Sequence, residues 1–456
     1  MKSYTSLYFI GAGGIGMSAL VRYFLAKGYR VAGYDRTPSP LTAELQAEGL
    51  EIVYDESVDL IPDYCRDPAT TLVVYTPAIP ATHAGLVYFR EQGFQVIKRA
   101  ELLGLITQSS KGLCFSGTHG KTTTSSMAAH IFHESPIGCN AFLGGILRNY
   151  DSNLILSDHS PFTVIEADEY DRSFHWLHPY MAVVTATDPD HLDIYGTEEA
   201  YLESFAHFTS LIQPGGCLVM KRGIKLVPRV QEGVKVYTYS ARDGGDFHAG
   251  NIRVGNGTIV FDFVAPDGVV ADVELGVPVD INIENAVAAM AIARLNGVTD
   301  DDMRRAMASF RGAKRRFEFW VKRDDRVMID DYAHHPDELK ASIRSVRALY
   351  PGRKLTVIFQ PHLYSRTRDF APQFAEALSM ADQVILLDIY PAREQPIPGV
   401  TSQIIFDKIT CREKELCLRE KLLERIKECN FDVLLTMGAG DIDRLLPQIA
   451  SIVEAK

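Results

Sequence analysis

Gly117-Thr118-His119-Gly120-Lys121-Thr122-Thr123-Thr124 lies between an apolar run, Gly112–Phe115, and a stretch of helical character, Thr122–Phe132. A strand that turns through glycines into a helix aims backbone N–H groups at one point, where a phosphate fits. The helix N-terminus adds a positive dipole, Lys121 a point charge, and the Thr122 hydroxyl a ligand for magnesium. Phe115 stands where the general G-x4-G-K-[ST] pattern has its first glycine, so the match to that pattern is incomplete. Strand, glycine turn and helix in this order set the fold class as α/β.

A second glycine turn lies near the start, Gly11-Ala12-Gly13-Gly14-Ile15-Gly16. It follows the strand-like run Leu7–Ile10 and leads into a helical stretch, Gly16–Lys27. Asp35 closes the next strand, Tyr29–Tyr34. This is the spacing of a dinucleotide fingerprint, with an acidic residue placed to bind ribose hydroxyls. The geometry serves any nucleotide diphosphate, because the helix N-terminus holds the pyrophosphate. Gly11, Gly13, Gly14, Ile15, Gly16 and Asp35 are therefore candidate ligands of a diphosphate whose identity the turn leaves open. An NAD-dependent dehydrogenase would use this turn but leave Gly117–Thr124 without a purpose.

Strand signals continue at Thr71–Tyr75, Gln95–Ile97, Phe162–Ile165, Met181–Thr185 and Cys217–Met220. Their alternation with helices implies mostly parallel sheets. Val234 to Val279 is rich in β-branched residues and glycine turns and reads as hairpins, and helix returns at Asn285–Leu295. Val327–Asp331, Leu355–Phe359, Val384–Leu387 and Val433–Thr436 are the strands of a third α/β unit. The polar stretch Gln108–Lys111 and the charged segment Arg311–Arg326 mark boundaries, giving domains at 1–108, 109–318 and 319–456. A chain of 456 residues fits that number, at ~150 residues per domain.

Hydrophobic residues make up 46% and charged residues 23%, enough apolar material for several cores and too much for a disordered chain. A net charge of −11 argues against nucleic acid or an acidic membrane surface as partner. The seven cysteines are scattered without CxxC spacing, which fits a reducing compartment rather than a disulfide framework or structural zinc. Nothing resembles a targeting segment or a membrane-spanning helix, so a cytoplasmic enzyme is expected. A monomer and a homodimer both fit the sequence.

Two acidic clusters follow the phosphate loop, Glu166-Ala167-Asp168-Glu169-Tyr170-Asp171 and Asp188-Pro189-Asp190-His191-Leu192-Asp193. Both fall at strand ends, where carboxylates and an imidazole can reach magnesium beside a phosphate.

Together these segments resemble the Mur ligase family, ATP-dependent enzymes that form amide bonds in peptidoglycan precursors. The family's ATP loop also lacks the first Walker glycine. The resemblance implies a Rossmann-like N-terminal domain, a central P-loop ATPase domain and a C-terminal Rossmann-like α/β domain. It implies ATP on Gly117, Thr118, His119, Gly120, Lys121, Thr122 and Thr123, with magnesium on Thr122 and Glu166 and a second metal on His191. Asn282 and Asn285 resemble the pair that reads adenine, and Arg316, in Arg315-Arg316-Phe317-Glu318, the arginine that closes on ATP. Tyr332 and His334, in Asp330-Asp331-Tyr332-Ala333-His334-His335-Pro336, resemble the motif facing the amino acid.

Within the family the likeness is greatest to members that join L-alanine to the lactoyl carboxylate of UDP-N-acetylmuramate. It rests on Gly11–Ser18, on Phe359-Gln360-Pro361-His362-Leu363-Tyr364-Ser365-Arg366-Thr367-Arg368 and on Met437-Gly438-Ala439-Gly440-Asp441. Arg366 is implied to bind the alanine carboxylate, with Lys121, Arg316 and His334 implied in catalysis. Ligases that add later residues carry a modified lysine past the metal histidine, and no lysine lies between Lys121 and Lys221 here. Two departures from the family pattern stand out. Thr185-Ala186-Thr187-Asp188 replaces a Thr-Asn-Ile-Glu string, and Leu363 replaces an arginine. A ligase for a recycled peptide and a non-catalytic nucleotide switch are the other readings.

Overall fold

The structure is a computed structural model and describes residues 4–190, 192–255, 257–392 and 394–456. Three sheets organise it. The first comprises β1 (Ser6–Ile10), β2 (Arg30–Tyr34), β3 (Glu51–Val53), β4 (Thr71–Tyr75) and β5 (Gln95–Lys98), in the order β3-β2-β1-β4-β5. All its pairs are parallel. Every residue of β1 is buried, as a central strand covered by helices on both faces requires. The order reverses beside β1, and there the Gly11 turn leaves the sheet, the usual ligand crevice of an open α/β sheet.

The second sheet comprises β6 (Lys111–Ser116), β7 (Asn140–Leu147), β8 (Ser152–Ile155), β9 (Phe162–Glu166), β10 (Pro179–Val184), β11 (Cys217–Lys221), β12 (Lys235–Ser240), β13 (Phe247–Gly255), β14 (Thr258–Ala265) and β15 (Gly268–Glu274). Their order is β15-β14-β13-β12-β11-β10-β6-β9-β7-β8, so the phosphate-loop strand β6 sits between β10 and β9. The third comprises β16 (Glu318–Lys322), β17 (Val327–Asp331), β18 (Leu355–Phe359), β19 (Gln383–Leu387), β20 (Glu413–Cys417) and β21 (Val433–Met437), in the order β16-β17-β21-β18-β19-β20. Only β16 runs antiparallel in it, on β17. Among the described residues no helix is long and apolar enough to cross a membrane.

The parallel α/β architecture follows the sequence reading, and β14–β15, joined by Pro266-Asp267, is one of its expected hairpins. Five strands escape that reading. β3, β8, β16 and β20 are short or polar edge strands, and β7 is broken by Gly144-Gly145. β16 lies inside the charged stretch Arg311–Arg326, because an edge strand buries only part of its surface and tolerates charges at its ends.

The chain divides into two compact units, one of Met1–Gly250, Asp262–Ala271 and Glu284–Ser309, the other of Asn251–Phe261, Asp272–Ile283 and Phe310–Lys456. In the first unit one apolar core runs from Phe24 and Leu103 through Phe142 and Ile165 to Phe174 and Phe208, and a second gathers Tyr8, Ile10, Val73 and Phe89. A buried amide adds to it. Asn153, in β8, donates from Nδ2 to the Ile15 carbonyl at 2.5 Å and to Ser18 Oγ at 3.0 Å, and its Oδ1 accepts from Arg22 Nη1 at 3.1 Å. These bonds hold helix Ile15–Ala26, and with it the first glycine turn, against β8. Asn153→Leu removes these three bonds, while the Ile15 carbonyl keeps Ser18 Oγ and Arg22 keeps Glu44 and Glu48, and should cost about 1–2 kcal/mol. Unfolding in denaturant reads this, and a loss below about 0.5 kcal/mol would leave the junction to apolar contacts alone.

In the second unit Asp330 is wholly buried in β17. Its Oδ2 meets Arg315 Nε at 3.2 Å and its Oδ1 accepts from the Thr436 hydroxyl at 2.6 Å. Burial nonetheless pushes its carboxyl up to about 6, outweighing Arg315. The unfolded chain releases this proton near pH ~4. Between about pH 4 and 6 the unfolded state therefore ionises first, and this group's contribution to stability declines as pH rises, then holds level. Asp330→Asn should abolish that decline. Unfolding free energies of variant and wild type, compared from pH 4 to 7, should diverge in the variant's favour up to about pH 6 and run parallel above it.

Candidate active site

The phosphate loop is shaped by what lies beneath it. A Cβ on Gly117 would stand 2.7 Å from the Ala186 nitrogen and 2.9 Å from that of Thr185, and the residue adopts φ +136°. Only glycine fits. Thr118 N–H donates to the Ala186 carbonyl at 3.1 Å, and the Thr118 hydroxyl to the Asp188 carbonyl at 2.7 Å. The Thr185 hydroxyl holds the carbonyls of Ser116 and His119. Ala186, one of the departures noted above, thus supports the loop through its backbone, which any side chain could supply.

Helix Lys121–His133 begins at Gly120 (φ +83°) with no side-chain cap and no acidic residue in its first turn. Its free N–H groups and dipole suit a phosphate. Lys121 Nζ donates to the Gly117 carbonyl at 2.7 Å and to Glu169 Oε1 at 2.8 Å. The Thr122 hydroxyl donates to Glu166 Oε1 at 3.1 Å, and Gly144 N–H donates to Glu166 Oε2 at the same distance. Burial raises the Glu166 carboxyl above its ordinary range, with Thr122 and Lys121 acting against it. A hydroxyl and a carboxylate in contact at a phosphate loop are the donor set a magnesium ion takes. Thr123 is half-buried in the first helical turn, and the His119 side chain is exposed. His191 lies outside the described residues.

Asn282 and Asn285 are both buried in helix Asp280–Leu295. Asn285 Oδ1 accepts from the Thr124 hydroxyl at 3.1 Å, and a Cβ on Gly120 would lie 2.9 Å from it, so Asn285 sits against the loop itself. Asn282 Nδ2 donates to the Val277 carbonyl at 3.1 Å.

The first glycine turn has the same plan. Gly14 caps helix Ile15–Ala26 with no side-chain bond, leaving that N-terminus open too. Gly13 N–H donates to Asp35 Oδ2 at 2.7 Å, so one oxygen of Asp35 holds the turn and Oδ1 binds Thr37 N–H at 3.2 Å. The cation here is Arg99, which the sequence reading missed. Its guanidinium lies against Gly16, where a Cβ would collide with Nη1, and its Nη2 reaches Asp168 at 3.4 Å. A cavity of about 330 Å³ opens nearby, lined by Tyr75, Ile79, Arg90, Lys98, Tyr170 and Asp171. Ile79 also packs on Gly11.

In the second unit the remaining motifs converge at the C-terminal end of the third sheet. Arg315 (φ +61°) donates to the Gly438 carbonyl at 2.5 Å and stacks on Tyr332 with 5.1 Å between guanidinium and ring. Arg316 is exposed, 5.9 Å from the same ring. Of the two arginines, Arg315 is built into the fold and Arg316 faces solvent. Gln360 joins the other two strings, donating to Asp441 Oδ1 and accepting from Ile442 N–H, each at 2.9 Å.

His334 Nδ1 lies 2.9 Å from the Tyr332 carbonyl. A carbonyl only accepts, so Nδ1 carries the hydrogen and Nε2 of the neutral ring is left able to take a proton. Its ring lies 6.0 Å from that of His362. Arg366 stands in the first turn of helix Tyr364–Leu378, half-buried, with no side-chain hydrogen bond or ion pair among the described residues. Leu363, the second departure, precedes that helix at φ +69°, a conformation side chains rarely adopt.

Comparisons with known proteins cover the whole chain. Residues 6–111 match the Mur ligase family catalytic domain, 115–293 the Mur ligase middle domain and 315–440 the glutamate ligase domain of Mur ligases. The UDP-N-acetylmuramate–L-alanine ligase of Phocaeicola vulgatus is 62% identical over 99% of this chain and 98% of that protein. That of Parabacteroides distasonis is 64% identical over 98% and 97%. The crystal structure of UDP-N-acetylmuramate-alanine ligase from Thermotoga maritima superposes with a TM-score of 0.80 at 25% identity, covering 99% of each chain. A murein peptide ligase from Psychrobacter arcticus shares the fold, with a TM-score of 0.63 at 21% identity over 98% of each chain. With full-length relatives above 60% identity and three successive domain matches, this chain belongs to the Mur ligase family.

Proposed function

We propose that the protein joins L-alanine to the lactoyl carboxylate of UDP-N-acetylmuramate, with ATP converted to ADP and phosphate. One observation carries the reading. Two helix N-termini in one unit stand open behind glycine turns, one beside Lys121, Thr122 and Glu166, the other beside Arg99. A nucleotide triphosphate with its metal suits the first, and the diphosphate of a sugar nucleotide the second. The names of the high-identity relatives supply the two substrates.

A carboxylate is a poor electrophile, because its leaving group would be oxide. In the proposed reaction a carboxylate oxygen attacks the γ-phosphorus of ATP and the bond to ADP breaks. The alanine amine then adds to the acyl carbon, and the tetrahedral species collapses with loss of phosphate. Lys121 neutralises charge on the transferring group, and exposed Arg316 is the second cation assigned to it. Thr122 and Glu166 would hold magnesium, with His191 assigned to a second ion, and bound metal supplies charge neutralisation. The amine must lose a proton to attack, and His334 Nε2 is the acceptor assigned to it. Asn282 and Asn285 are assigned to adenine, Tyr332 and Arg366 to the amino acid. Domain limits of 1–108, 109–318 and 319–456, and a cytoplasmic setting in which the seven cysteines stay reduced, belong to the same reading.

Phosphate release should require the sugar nucleotide, L-alanine, ATP and magnesium together. Equal ATP hydrolysis without the sugar nucleotide would sink the ligase reading, and preference for a peptide amine would change the substrate but not the chemistry. Lys121→Ala should lower kcat by several orders of magnitude, on the order of 10³-fold or more. Glu166→Ala should raise the magnesium requirement, and unchanged activity at low magnesium would remove it as a ligand.

Glycine lacks one methyl group, worth ~1–3 kcal/mol in a small apolar pocket, so L-alanine should be preferred by about 10- to 200-fold in kcat/KM. Arg366→Lys loses the planar fork that holds a carboxylate by two bonds. It should raise KM for alanine far more than KM for ATP. Unchanged alanine kinetics would move the carboxylate site elsewhere.

A further inference from the structure

We infer that Glu169 is a positioning residue for Lys121, holding its ammonium as a tripod with one N–H left for the transferring phosphate. The inference rests on the reading of Gly117–Thr124 as the ATP loop. Lys121 has three donors. Two are committed, to the Gly117 carbonyl at 2.7 Å and to Glu169 Oε1 at 2.8 Å, and the third is unspent among the described residues. Glu169 therefore need not release the lysine when nucleotide arrives.

The contact is built rather than incidental. The Glu169 side chain is 1% exposed, and its Oε2 has no hydrogen-bond partner among the described residues. A buried carboxylate needs a charged or hydrogen-bonding partner, and Lys121 is the cation that meets this one. Its backbone is pinned as well, since the Tyr195 hydroxyl and Arg172 N–H both donate to the Glu169 carbonyl. On either side the acidic segment is tied down, Asp168 to Arg99 at 3.4 Å and Asp171 to Lys98 at 2.6 Å. Asp171 and Arg172 take φ +52° and +55°, which carries the chain away at once after Glu169.

A tethered lysine differs from a merely present one in what it does to kinetics. The Glu169 charge offsets the lysine's attraction for ATP in the ground state, while fixing the direction of the remaining N–H. Its loss should therefore leave ATP binding intact or tighter and slow the chemical step. Glu169→Met keeps the length and removes both charge and acceptor, and kcat should fall on the order of 100-fold, the effect of a displaced group about 1 Å from its working position. Glu169→Gln keeps an acceptor without charge and should restore much of the rate, to within about tenfold of wild type. KM for ATP, and the Kd of a non-hydrolysable ATP analogue measured by calorimetry, should stay level or fall in both.

The experiment measures ATP turnover, analogue binding and thermal melting on wild type and both variants. A kcat for Glu169→Met within about threefold of wild type would overturn the inference, as would weaker analogue binding with kcat kept. If Glu169→Met does not fold, Glu169→Gln decides: a kcat lowered about three- to tenfold with analogue binding level or tighter supports the inference, and a kcat within about threefold of wild type or weaker analogue binding overturns it. The readout is ATP turnover, so a different amine would overturn the substrate assignment and leave this comparison standing.

Discussion

Everything at the Gly117–Thr124 loop depends on how closely the end of β10 runs beneath it after β6. With the nitrogens of Thr185 and Ala186 within 3 Å of where a Cβ would be, residue 117 has no room for a side chain. The loop is then clamped from below by the Thr185 hydroxyl and by the Thr118–Ala186 bond. A clamped loop fixes where helix Lys121–His133 starts, and so where its free N–H groups, Lys121 and Thr122 stand. The parallel pairing of β6 with β10 and β9 delivers the rest, since all three strands end on the same side of the sheet. Glu166 ends β9 and reaches Thr122 for that reason alone.

Much of this was legible in the chain. Glycines at 11, 117 and 120, with φ of +90°, +136° and +83°, mark turns that other residues disfavour, and such marks survive in sequence. Fully buried strands such as β1, β18 and β19 read as continuous apolar runs. The strings around Arg315, Asp330, Gln360 and Gly438, scattered over more than a hundred residues, were recognisable by resemblance. What sequence could not say is that they meet through Arg315, Gln360 and Thr436 at one end of one sheet.

The contacts that were not legible are long-range pairings between charged side chains. Lys121 with Glu169, Arg99 with Asp168, and Lys98 with Asp171 join residues dozens of positions apart. Spacing carries no trace of them: the run Glu166–Asp171 reads as carboxylates at a strand end, without the cations that Asp168, Glu169 and Asp171 meet. Arg99 was hidden for the same reason. It follows β5, and only the position of β5 in the sheet sets its guanidinium against Gly16. The arginine pair shows the converse limit. Resemblance singled out the motif, but only burial separates Arg315, held by Asp330 and Gly438, from exposed Arg316.

The two glycine turns show how one backbone device can be set for two ligands. Both leave a helix N-terminus uncapped, and the N–H groups and dipole are alike in kind. The charges placed around them differ. At the first turn a carboxylate, Asp35, is spent on the Gly13 N–H, and the nearby cation is a guanidinium shared with Asp168. At the second, an ammonium in the loop itself stands next to a threonine and a buried glutamate. A broad, forked cation suits a diphosphate that only needs holding, because it can bridge two phosphate groups without moving. A compact ammonium beside a hydroxyl and a carboxylate suits a phosphoryl group in transfer, because a point charge can follow the oxygens over which the charge spreads. The acidic segment Glu166–Asp171 holds the cation beside each turn, Arg99 through Asp168 and Lys121 through Glu169, so one stretch of chain sets both charges.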